Sequence, residues 1–235
     1  MKLLVIPDIH LKPWIIDNAD EILSQKKADN AIFLGDFVDD WGKQNKLYLY
    51  EEIFDRLEAF LTKYPDSLIC WGNHDVSYMW NRMETGFSPK AQPVVTKRMN
   101  QITYNFDSKR FAFVHRVDNC IFSHGGLAEK YVMKHVIGET EIDSVIHAIN
   151  GLKDTSLWND LSPLWLRPQY NILRPYNNRY LQVVGHTPVE KAICENGFLS
   201  LDTFSTNAYG KPIGDQKFVC IDTVSKEWKY VEDAT

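Results

Sequence analysis

The sequence predicts an α/β fold that combines a parallel β-sheet with a second sheet of antiparallel or mixed strands. In the first third of the chain, apolar runs at residues 2–7, 30–34 and 67–71 alternate with segments of helical periodicity. This alternation is typical of a parallel sheet, whose strands are buried on both faces. After residue 101 the pattern changes to short strand-like runs joined by turns, which indicates the second sheet.

Helical segments separate the first three strands. Apolar residues recur at helical spacing within about residues 15–27 and about residues 46–64, and Pro65-Asp66 ends the second segment. We find no internal repeat or linker and expect residues 1–235 to form a single domain. The other predicted elements are short helices at 76–83 and 93–100, a loop at 84–93, strands at 102–106, 110–115 and 119–123, a mostly helical segment at 131–150, a surface loop at 159–178, and strands at 180–184, 191–194, 198–201, 217–221 and 228–231.

The composition is that of a folded protein with a sizeable core. Of the 235 residues, 44% are hydrophobic, which excludes a disordered chain. The net charge of −5 provides no basic field for nucleic acid. Residues 2–7 are too short an apolar run for a signal peptide, and no stretch approaches the ~18 apolar residues of a membrane span. We therefore expect a cytoplasmic protein with no membrane partner. The four cysteines have no CxxC spacing and are interpreted as buried free thiols: Cys70, Cys120, Cys194 and Cys220.

Five strand-like runs end in side chains that bind metals or move protons. Ligands of open α/β sheets bind beyond the carboxyl ends of the strands, so we expect these motifs to cluster at one edge. A glycine directly precedes three of the candidate ligands, at Gly35, Gly72 and Gly185, and allows the chain to turn sharply and approach closely. The five motifs are Asp8-Ile9-His10, Gly35-Asp36-Phe37-Val38-Asp39, Gly72-Asn73-His74-Asp75, His124-Gly125-Gly126 and Gly185-His186-Thr187.

The residue types in these motifs suit divalent metals. Carboxylates, imidazoles and one amide favour Mn, Fe or Zn, and there are too few carboxylates for calcium. The set is too large for one ion, whereas two ions roughly 3.5–4 Å apart that share a carboxylate would use it fully. Such a pair activates water at neutral pH and binds both ends of a displacement at phosphorus. The sequence has no Walker-type loop and no GxGxxG motif, so a phosphate cradle for nucleotides has no support.

The motifs, in this order, resemble those of the calcineurin-like metallophosphoesterase superfamily from residue 8 to about residue 203. They are most similar to the phosphoprotein phosphatase branch, which includes bacterial and phage serine/threonine phosphatases and symmetrical diadenosine tetraphosphatases. The resemblance implies a two-layer mixed β sandwich flanked by helices. It also implies two divalent metal ions, with manganese as the first candidate and iron, zinc, nickel or cobalt as alternatives.

The resemblance also implies a role for each motif residue. Asp8, His10 and Asp36 would hold the first metal. Asp36 would bridge to the second, whose other ligands would be Asn73, His124 and His186. His74 would donate a proton to the leaving oxygen while Asp39 holds its imidazole, because a carboxylate raises the imidazole pKa and fixes the ring.

The sequence departs from the branch at one position. The branch has an arginine that contacts the substrate phosphate where this chain has Asp40, and we expect an acidic residue there to repel a phosphate dianion. Arg167 resembles a second phosphate-binding arginine of the branch. Three other arginines are candidates to compensate: Arg82, Arg174 and Arg179.

We expect a phosphoric ester hydrolase in which a metal-bridging hydroxide attacks phosphorus, and in particular a serine/threonine-phosphatase-like phosphomonoesterase. The alternatives are a dinucleoside polyphosphate hydrolase or nucleotide phosphodiesterase, and a non-catalytic binding scaffold with the same fold. The substrate would be a phosphoprotein, a nucleotide or a small phosphoester; the oligomeric state stays open. We interpret Asp75 as a helix cap. Trp158 and Trp165 are interpreted as packing residues, with the wall of a substrate pocket as the alternative. Residues 84–93 are interpreted as a connector, with a lid or substrate-binding insertion as the alternative.

Overall fold

Two β-sheets pack against each other through one apolar layer. Leu3, Val5 and Ile32 of the first sheet form a buried cluster with Phe122 and Val183 of the second. Because alternate side chains of a strand point to opposite faces, the other faces of both sheets are left for helices to cover. This arrangement confirms the predicted α/β fold with a two-layer mixed sandwich.

The computed structural model describes residues 1–170 and 173–231. Within these residues the chain forms strands and helices whose bounds are, in order, β1 (Lys2–Ile6), α1 (Pro13–Ser24), β2 (Asn30–Phe33), α2 (Leu47–Lys63), β3 (Leu68–Cys70), α3 (Asn73–Met79), α4 (Gln92–Asn105), β4 (Phe111–Ala112), β5 (Val114–Val117), β6 (Cys120–Ser123), α5 (Glu129–His135), α6 (Ile142–Asn150), α7 (Asp154–Leu157), β7 (Leu181–Val184), β8 (Ile193–Glu195), β9 (Phe198–Ser200), β10 (Val219–Asp222) and β11 (Trp228–Tyr230).

Both sheets are mixed. The first has the order β11-β10-β1-β2-β3-β4, in which β1 to β4 are parallel, as the strand–helix alternation predicts. Strands β10 and β11 extend it in the antiparallel direction, with Val5 opposite Val219. The second sheet has the order β5-β6-β7-β9-β8, with antiparallel hairpins at both ends and parallel pairs in the middle.

Amphipathic helices cover the outer faces. Ile15 and Ala19 of α1 and Ile53 of α2 are buried in a cluster with Leu4 and Phe33 of the first sheet. Helices α5 and α6 cover the second sheet in the same way through a separate buried cluster. No helix within residues 1–170 and 173–231 is long and apolar enough to cross a membrane.

Three predicted elements are wrong in detail. Residues 102–105 continue helix α4 instead of forming a strand, because Val95, Met99 and Ile102 form one buried helical stripe. The predicted strand at 110–115 is divided between the sheets, since β4 pairs with β3 and β5 pairs with β6. Helix α3 begins at Asn73, three residues before the predicted start, so the motif after β3 is itself helical.

The cysteines follow the prediction with one exception. Cys70, Cys120 and Cys220 are buried and free. Cys194 is exposed, because it lies on β8, the edge strand of the second sheet, whose residues all face solvent.

Candidate metal centre and active site

The topology places the five motifs around one site. Asp8 and His10 follow β1, Asp36 follows β2, and Asn73 opens α3 directly after β3. The second sheet contributes from two parallel strands, because His124 follows β6 and His186 follows β7. All six candidate ligands therefore lie at the carboxyl ends of strands.

The first group of potential ligands consists of Asp8, His10 and Asp36, whose ligand atoms lie within 4.8 Å of one another. His10 Nε2 is 3.9 Å from Asp8 Oδ2 and 3.7 Å from Asp36 Oδ2. His10 Nδ1 is 2.9 Å from the backbone carbonyl of Asp39. Because a carbonyl only accepts, Nδ1 is the donor, and the lone pair of Nε2 faces the two carboxylates.

The second group contains Asp36, His124 and His186, again within 4.8 Å of one another. His124 Nε2 is 3.2 Å from Asp36 Oδ2, 2.9 Å from Asn73 Oδ1 and 3.1 Å from His186 Nδ1. His124 Nδ1 donates to the carbonyl of Leu34 at 2.8 Å, which leaves Nε2 of the neutral ring unprotonated.

The donor set fits divalent cations. When the His124 ring is neutral, the lone pair of its Nε2 faces the oxygens of Asp36 and Asn73, which also carry lone pairs. Three such electron-rich atoms repel one another unless a positive charge lies between them. Burial lowers the pKa of His124, but the carboxylates of Asp36 and Asp8 outweigh it and raise that pKa to about 9. The electrostatics of the site thus favour a positive charge among these groups.

One oxygen of Asp36 belongs to both groups. Asp36 Oδ2 faces His10 and His124, whereas Asp36 Oδ1 accepts the backbone N–H of His74 at 2.9 Å. Burial would raise the pKa of Asp36, but the neighbouring histidines, His124 first, lower it far below the ordinary value. The carboxylate is therefore ionised and held so that a single oxygen faces both groups.

Asp75 holds the loop that carries Asp36. Its carboxylate caps α3 by accepting the backbone N–H of Gly72 at 3.0 Å. It also accepts the backbone N–H groups of Asp36 at 2.8 Å and Phe37 at 2.9 Å. The helix cap predicted from the sequence therefore also fixes the turn after β2.

Two glycines make room for ligand carboxylates. A Cβ at Gly72 would lie 2.1 Å from Asp36 Oδ1, and a Cβ at Gly185 would lie 2.2 Å from Asp8 Oδ1. Neither position can therefore hold a residue with a side chain, in agreement with the close approach that the sequence indicates. The groups that approach each glycine are the carboxylates of the site.

The backbone around the site is strained. Four of its residues, none of them glycine, have left-handed φ angles: His10 at 46°, Asp36 at 53°, Asp39 at 61° and His186 at 65°. Each such conformation costs of the order of 1–3 kcal/mol and persists where surrounding contacts hold it, which is typical of functional sites.

His74 and Asp39 form a hydrogen-bonded pair beside the first group. His74 Nδ1 is 3.1 Å from Asp39 Oδ2, and its ring lies edge-on to His10 with 5.2 Å between centroids. Burial lowers the pKa of His74, but the carboxylates of Asp36 and Asp39 raise it to about 9. The two carboxylates thus favour the protonated form of the ring, in which both nitrogens carry a proton.

The pair has two further partners that sequence reasoning missed. Tyr50 and Tyr78 both donate their hydroxyls to Asp39 Oδ1. Tyr50 belongs to the apolar stripe of α2, and that pattern indicates only a core residue. Tyr78 lies four residues after His74 in α3, and this helical spacing is the one signal that places it beside the pair.

A cavity of about 320 Å³ opens onto these groups. Of the four arginines considered from the sequence, only Arg167 lines it in the described part of the chain. Its guanidinium donates to the carbonyl of His186 and to the hydroxyl of Thr187, both at 3.2 Å. Arg82 pairs instead with Asp154 at 3.0 Å, and Arg174 and Arg179 are exposed and away from the cavity.

The cavity wall supports the alternative interpretations of residues 84–93 and of Trp165. The segment predicted as a connector contributes Glu84, Thr85 and Gly86 to the lining. Trp165 packs against Trp158 with 5.2 Å between ring centroids, as predicted, but it also lines the cavity.

Asp40 lies in the cavity wall, but its charge is balanced. Its Oδ2 is 2.6 Å from Lys43 Nζ and 3.7 Å from Lys12 Nζ, and its Oδ1 accepts from Thr206 at 3.0 Å. Burial would raise the pKa of Asp40, but the two lysines lower it. The repulsion expected from the sequence is thus offset by two ammonium groups.

The sequence matches the calcineurin-like phosphoesterase family over residues 1–213. The chain belongs to this family, whose members depend on two metal ions, and it is accordingly a metal-dependent phosphoric ester hydrolase. No curated protein matches the sequence significantly.

Solved structures resemble this fold at low sequence identity. A cold-active protein-tyrosine phosphatase of a psychrophilic Shewanella species is 13% identical, with 98% of this chain and 80% of the other covered and a TM-score of 0.56. A protein of Thermus thermophilus is 10% identical over 98% and 97% of the two chains, with a TM-score of 0.50. A phosphoesterase of E. coli, YfcE, is 16% identical over 98% of both chains, with a TM-score of 0.46.

Proposed function

We propose that the chain is a phosphomonoesterase whose two metal ions share Asp36. One ion would be held by Asp8, His10 and Asp36, and the other by Asp36 with the ligands that follow from the second group: Asn73, His124 and His186. The single observation that carries this proposal is the position of Asp36 Oδ2, which faces His10 Nε2 at 3.7 Å and His124 Nε2 at 3.2 Å.

The bound ions would supply an activated water and neutralise charge on the phosphoryl oxygens. The chain would supply the rest of the chemistry. Arg167 lines the cavity with donors suited to phosphate oxygens. His74 would give the proton of Nε2 to the leaving oxygen, and Asp39, on Nδ1, would keep the ring in that orientation.

The balanced charge of Asp40 supports a monoester substrate. The ammonium groups of Lys12 and Lys43 lie beside its carboxylate, so a phosphate dianion does not meet an isolated negative charge at Asp40. We therefore retain the serine/threonine-phosphatase-like monoesterase. A phosphotyrosine peptide also belongs in the test, because the similar Shewanella enzyme is a protein-tyrosine phosphatase.

A nucleotide substrate is the second candidate, and one observation favours it. Trp41 lines the cavity with 51% of its surface exposed, so a nucleobase could stack on its ring. A nucleotide phosphodiester or a dinucleoside polyphosphate would use this surface, whereas a phosphoserine would leave it empty.

Manganese is the proposed metal, with iron, zinc, nickel and cobalt as alternatives, because the mixed imidazole, amide and carboxylate set suits all of them. We also propose that residues 1–235 form a single domain. The pairing of β10 with β1 supports this, since it joins the region after residue 213 to the first strand of the sheet.

The test is turnover by protein stripped of metal and then reloaded with manganese. The panel contains p-nitrophenyl phosphate, bis-p-nitrophenyl phosphate, phosphoserine and phosphotyrosine peptides, and diadenosine tetraphosphate. We expect manganese-dependent hydrolysis with the monoesters preferred, and His74→Asn should lower the rate on the phosphoserine peptide, whose alkoxide leaving group needs a proton, by about two or more orders of magnitude. Preference for the diester or the dinucleotide would select the second candidate.

A matched pair of variants tests the shared ligand. Asp36→Asn should lower the manganese content from two ions per chain, since its charged oxygen faces both groups. Asp17→Asn, at an exposed position on α1, is the control. An unchanged content of two ions in Asp36→Asn would contradict the proposed centre.

A further inference from the structure

The two oxygens of Asp39 have separate partners. Oδ2 faces His74 Nδ1 at 3.1 Å, and Oδ1 accepts the hydroxyls of Tyr78 at 2.5 Å and Tyr50 at 3.1 Å. Asp39, Tyr50 and Tyr78 are each at most 1% exposed. In such a buried network, water does not replace a lost partner, so each hydrogen bond restricts the carboxylate strongly.

Two hydroxyls on one oxygen fix the plane of the carboxylate. Rotation of the Asp39 side chain would exchange the roles of Oδ1 and Oδ2 and would break the bond to His74 or those to the tyrosines. Tyr50 reaches the carboxylate from α2 and Tyr78 from α3, so two different helices hold it. The orientation of His74 therefore depends on groups that do not touch the cavity.

Tyr78 also joins the pair to the wall of the cavity. Its hydroxyl oxygen accepts the backbone N–H of Ser88 at 2.8 Å, and the Ser88 hydroxyl donates to the carbonyl of Gln44 at 2.6 Å. The same loop passes close to the pair, since a Cβ at Gly86 would lie 3.3 Å from Asp39 Cβ and 3.8 Å from His74 Cε1. The wall and the pair thus belong to one hydrogen-bonded unit.

We propose that Tyr78, supported by Tyr50, is a positioning residue that orients the Asp39–His74 pair for proton donation to the leaving group. This inference rests on the proposed function, in which His74 is the general acid. The effect of the tyrosines on kcat should therefore depend on the substrate. It should be largest for substrates whose leaving oxygen needs a proton.

The leaving group provides the readout. A p-nitrophenolate is stable enough to depart without a proton, whereas the alkoxide of serine or glycerol is strongly basic and needs one. A misoriented acid therefore slows alkyl phosphates and leaves p-nitrophenyl phosphate nearly unchanged. General structural damage or metal loss would slow both classes alike.

The experiment compares kcat of manganese-loaded protein for p-nitrophenyl phosphate, glycerol 2-phosphate and a phosphoserine peptide. We expect Tyr78→Phe to lower kcat about tenfold for the two alkyl phosphates and less than about twofold for p-nitrophenyl phosphate. Tyr50→Phe removes the longer of the two hydrogen bonds and should show the same substrate selectivity with a smaller loss of kcat. This variant tests the proposal if Tyr78→Phe does not fold. Metal content is measured for every variant, because the Asp39 carbonyl also accepts from His10.

Tyr131→Phe is the matched control. Tyr131 is also 1% exposed, but its hydroxyl donates to the carbonyl of Ser156, away from the pair. We expect this variant to change all three rates by the same factor. Equal rate losses across the substrates for both Tyr78→Phe and Tyr50→Phe, or no loss, would overturn the proposal.

His74→Asn, measured beside them, separates the role of the acid from the role of the tyrosines. If His74→Asn slows alkyl phosphates far more than p-nitrophenyl phosphate and the tyrosine variants show no such selectivity, His74 is the general acid and the proposed positioning role of the tyrosines is wrong. If His74→Asn slows all three substrates equally, the assigned acid is wrong, and the role of the tyrosines falls with it.

Discussion

The carboxylate of Asp75 accepts the backbone N–H of Asp36 at 2.8 Å, so a residue in the first turn of α3 holds the turn that carries the shared carboxylate. The bond joins two motifs that lie 39 residues apart in the sequence. Asp75 neither lines the cavity nor belongs to the proposed metal ligands, yet it orients one of those ligands.

Asp75→Asn should weaken metal binding. The amide has one acceptor oxygen in place of two, so at least one of the N–H groups of Gly72, Asp36 and Phe37 loses its partner. We expect manganese affinity to fall about 10–100-fold, measured by calorimetric titration of metal-stripped protein. Asp107→Asn, which alters an exposed cap bonded to Lys109, is the control and should bind manganese normally. Wild-type affinity in Asp75→Asn would show that the turn is held without it.

Gly185→Ala should damage the first ligand group. The added Cβ would lie 2.2 Å from Asp8 Oδ1, a distance that forces Asp8 or β7 to move. We expect a destabilised protein that binds less manganese, measured by thermal unfolding and metal analysis. Gly151→Ala, where the new Cβ meets only ordinary contacts at 3.6 Å, should behave like the wild type. Equal behaviour of the two variants would contradict a steric role for the close approach.

Lys43→Met and Asp40→Asn should change KM in opposite directions. Lys43→Met removes a balancing charge and should raise KM for the dianion p-nitrophenyl phosphate a few-fold, whereas Asp40→Asn should lower it. Both effects should be smaller for the monoanion bis-p-nitrophenyl phosphate and should weaken with added salt. Lys46→Met, at an exposed position nearby, is the control. Shifts of the same sign in both variants would rule out charge as the cause.

His115 should make stability depend on pH away from the site. Its Nε2 faces the carbonyl of Ile69 at 3.0 Å, and burial lowers its pKa below the ordinary value of 6.5. The unfolded chain therefore binds a proton more readily than the folded chain. The contribution of His115 to stability is fully present above pH 6.5 and is lost progressively as pH falls from there through the lower pKa of the folded state. The free energy of unfolding of His115→Gln, which does not titrate, should fall less than that of the wild type between about pH 7.5 and about pH 5. Parallel curves would show that His115 titrates normally in the fold.

The positions of the six candidate ligands are predictable because each follows an apolar run that indicates a strand. Local pattern and one topological rule are enough to bring Asp8, Asp36 and His186 to the same edge. The tyrosines on Asp39 are a different case. Whether Tyr50 reaches the carboxylate depends on how α2 packs beside α3, and no local pattern encodes that distance.

The errors in the fold have a similar origin. Residues 102–106 contain apolar and aromatic residues at both helical and strand spacing. The helical conformation buries Ile102 beside Met99, and this burial favours the helix. The balanced charge of Asp40 is equally hidden, since Lys12 lies 28 residues away in sequence and only the fold places its ammonium group near that carboxylate.

The two proposed metal positions differ in which parts of the chain they connect. The ligands of the first, Asp8, His10 and Asp36, all come from the first sheet. The second also uses His124 and His186, which extend from the other sheet. An ion in the second position would therefore act as a cross-link between the layers, restricting their separation much as a disulfide restricts a loop. Hydrogen exchange in β6 and β7 should slow when that position fills and respond little to filling of the first.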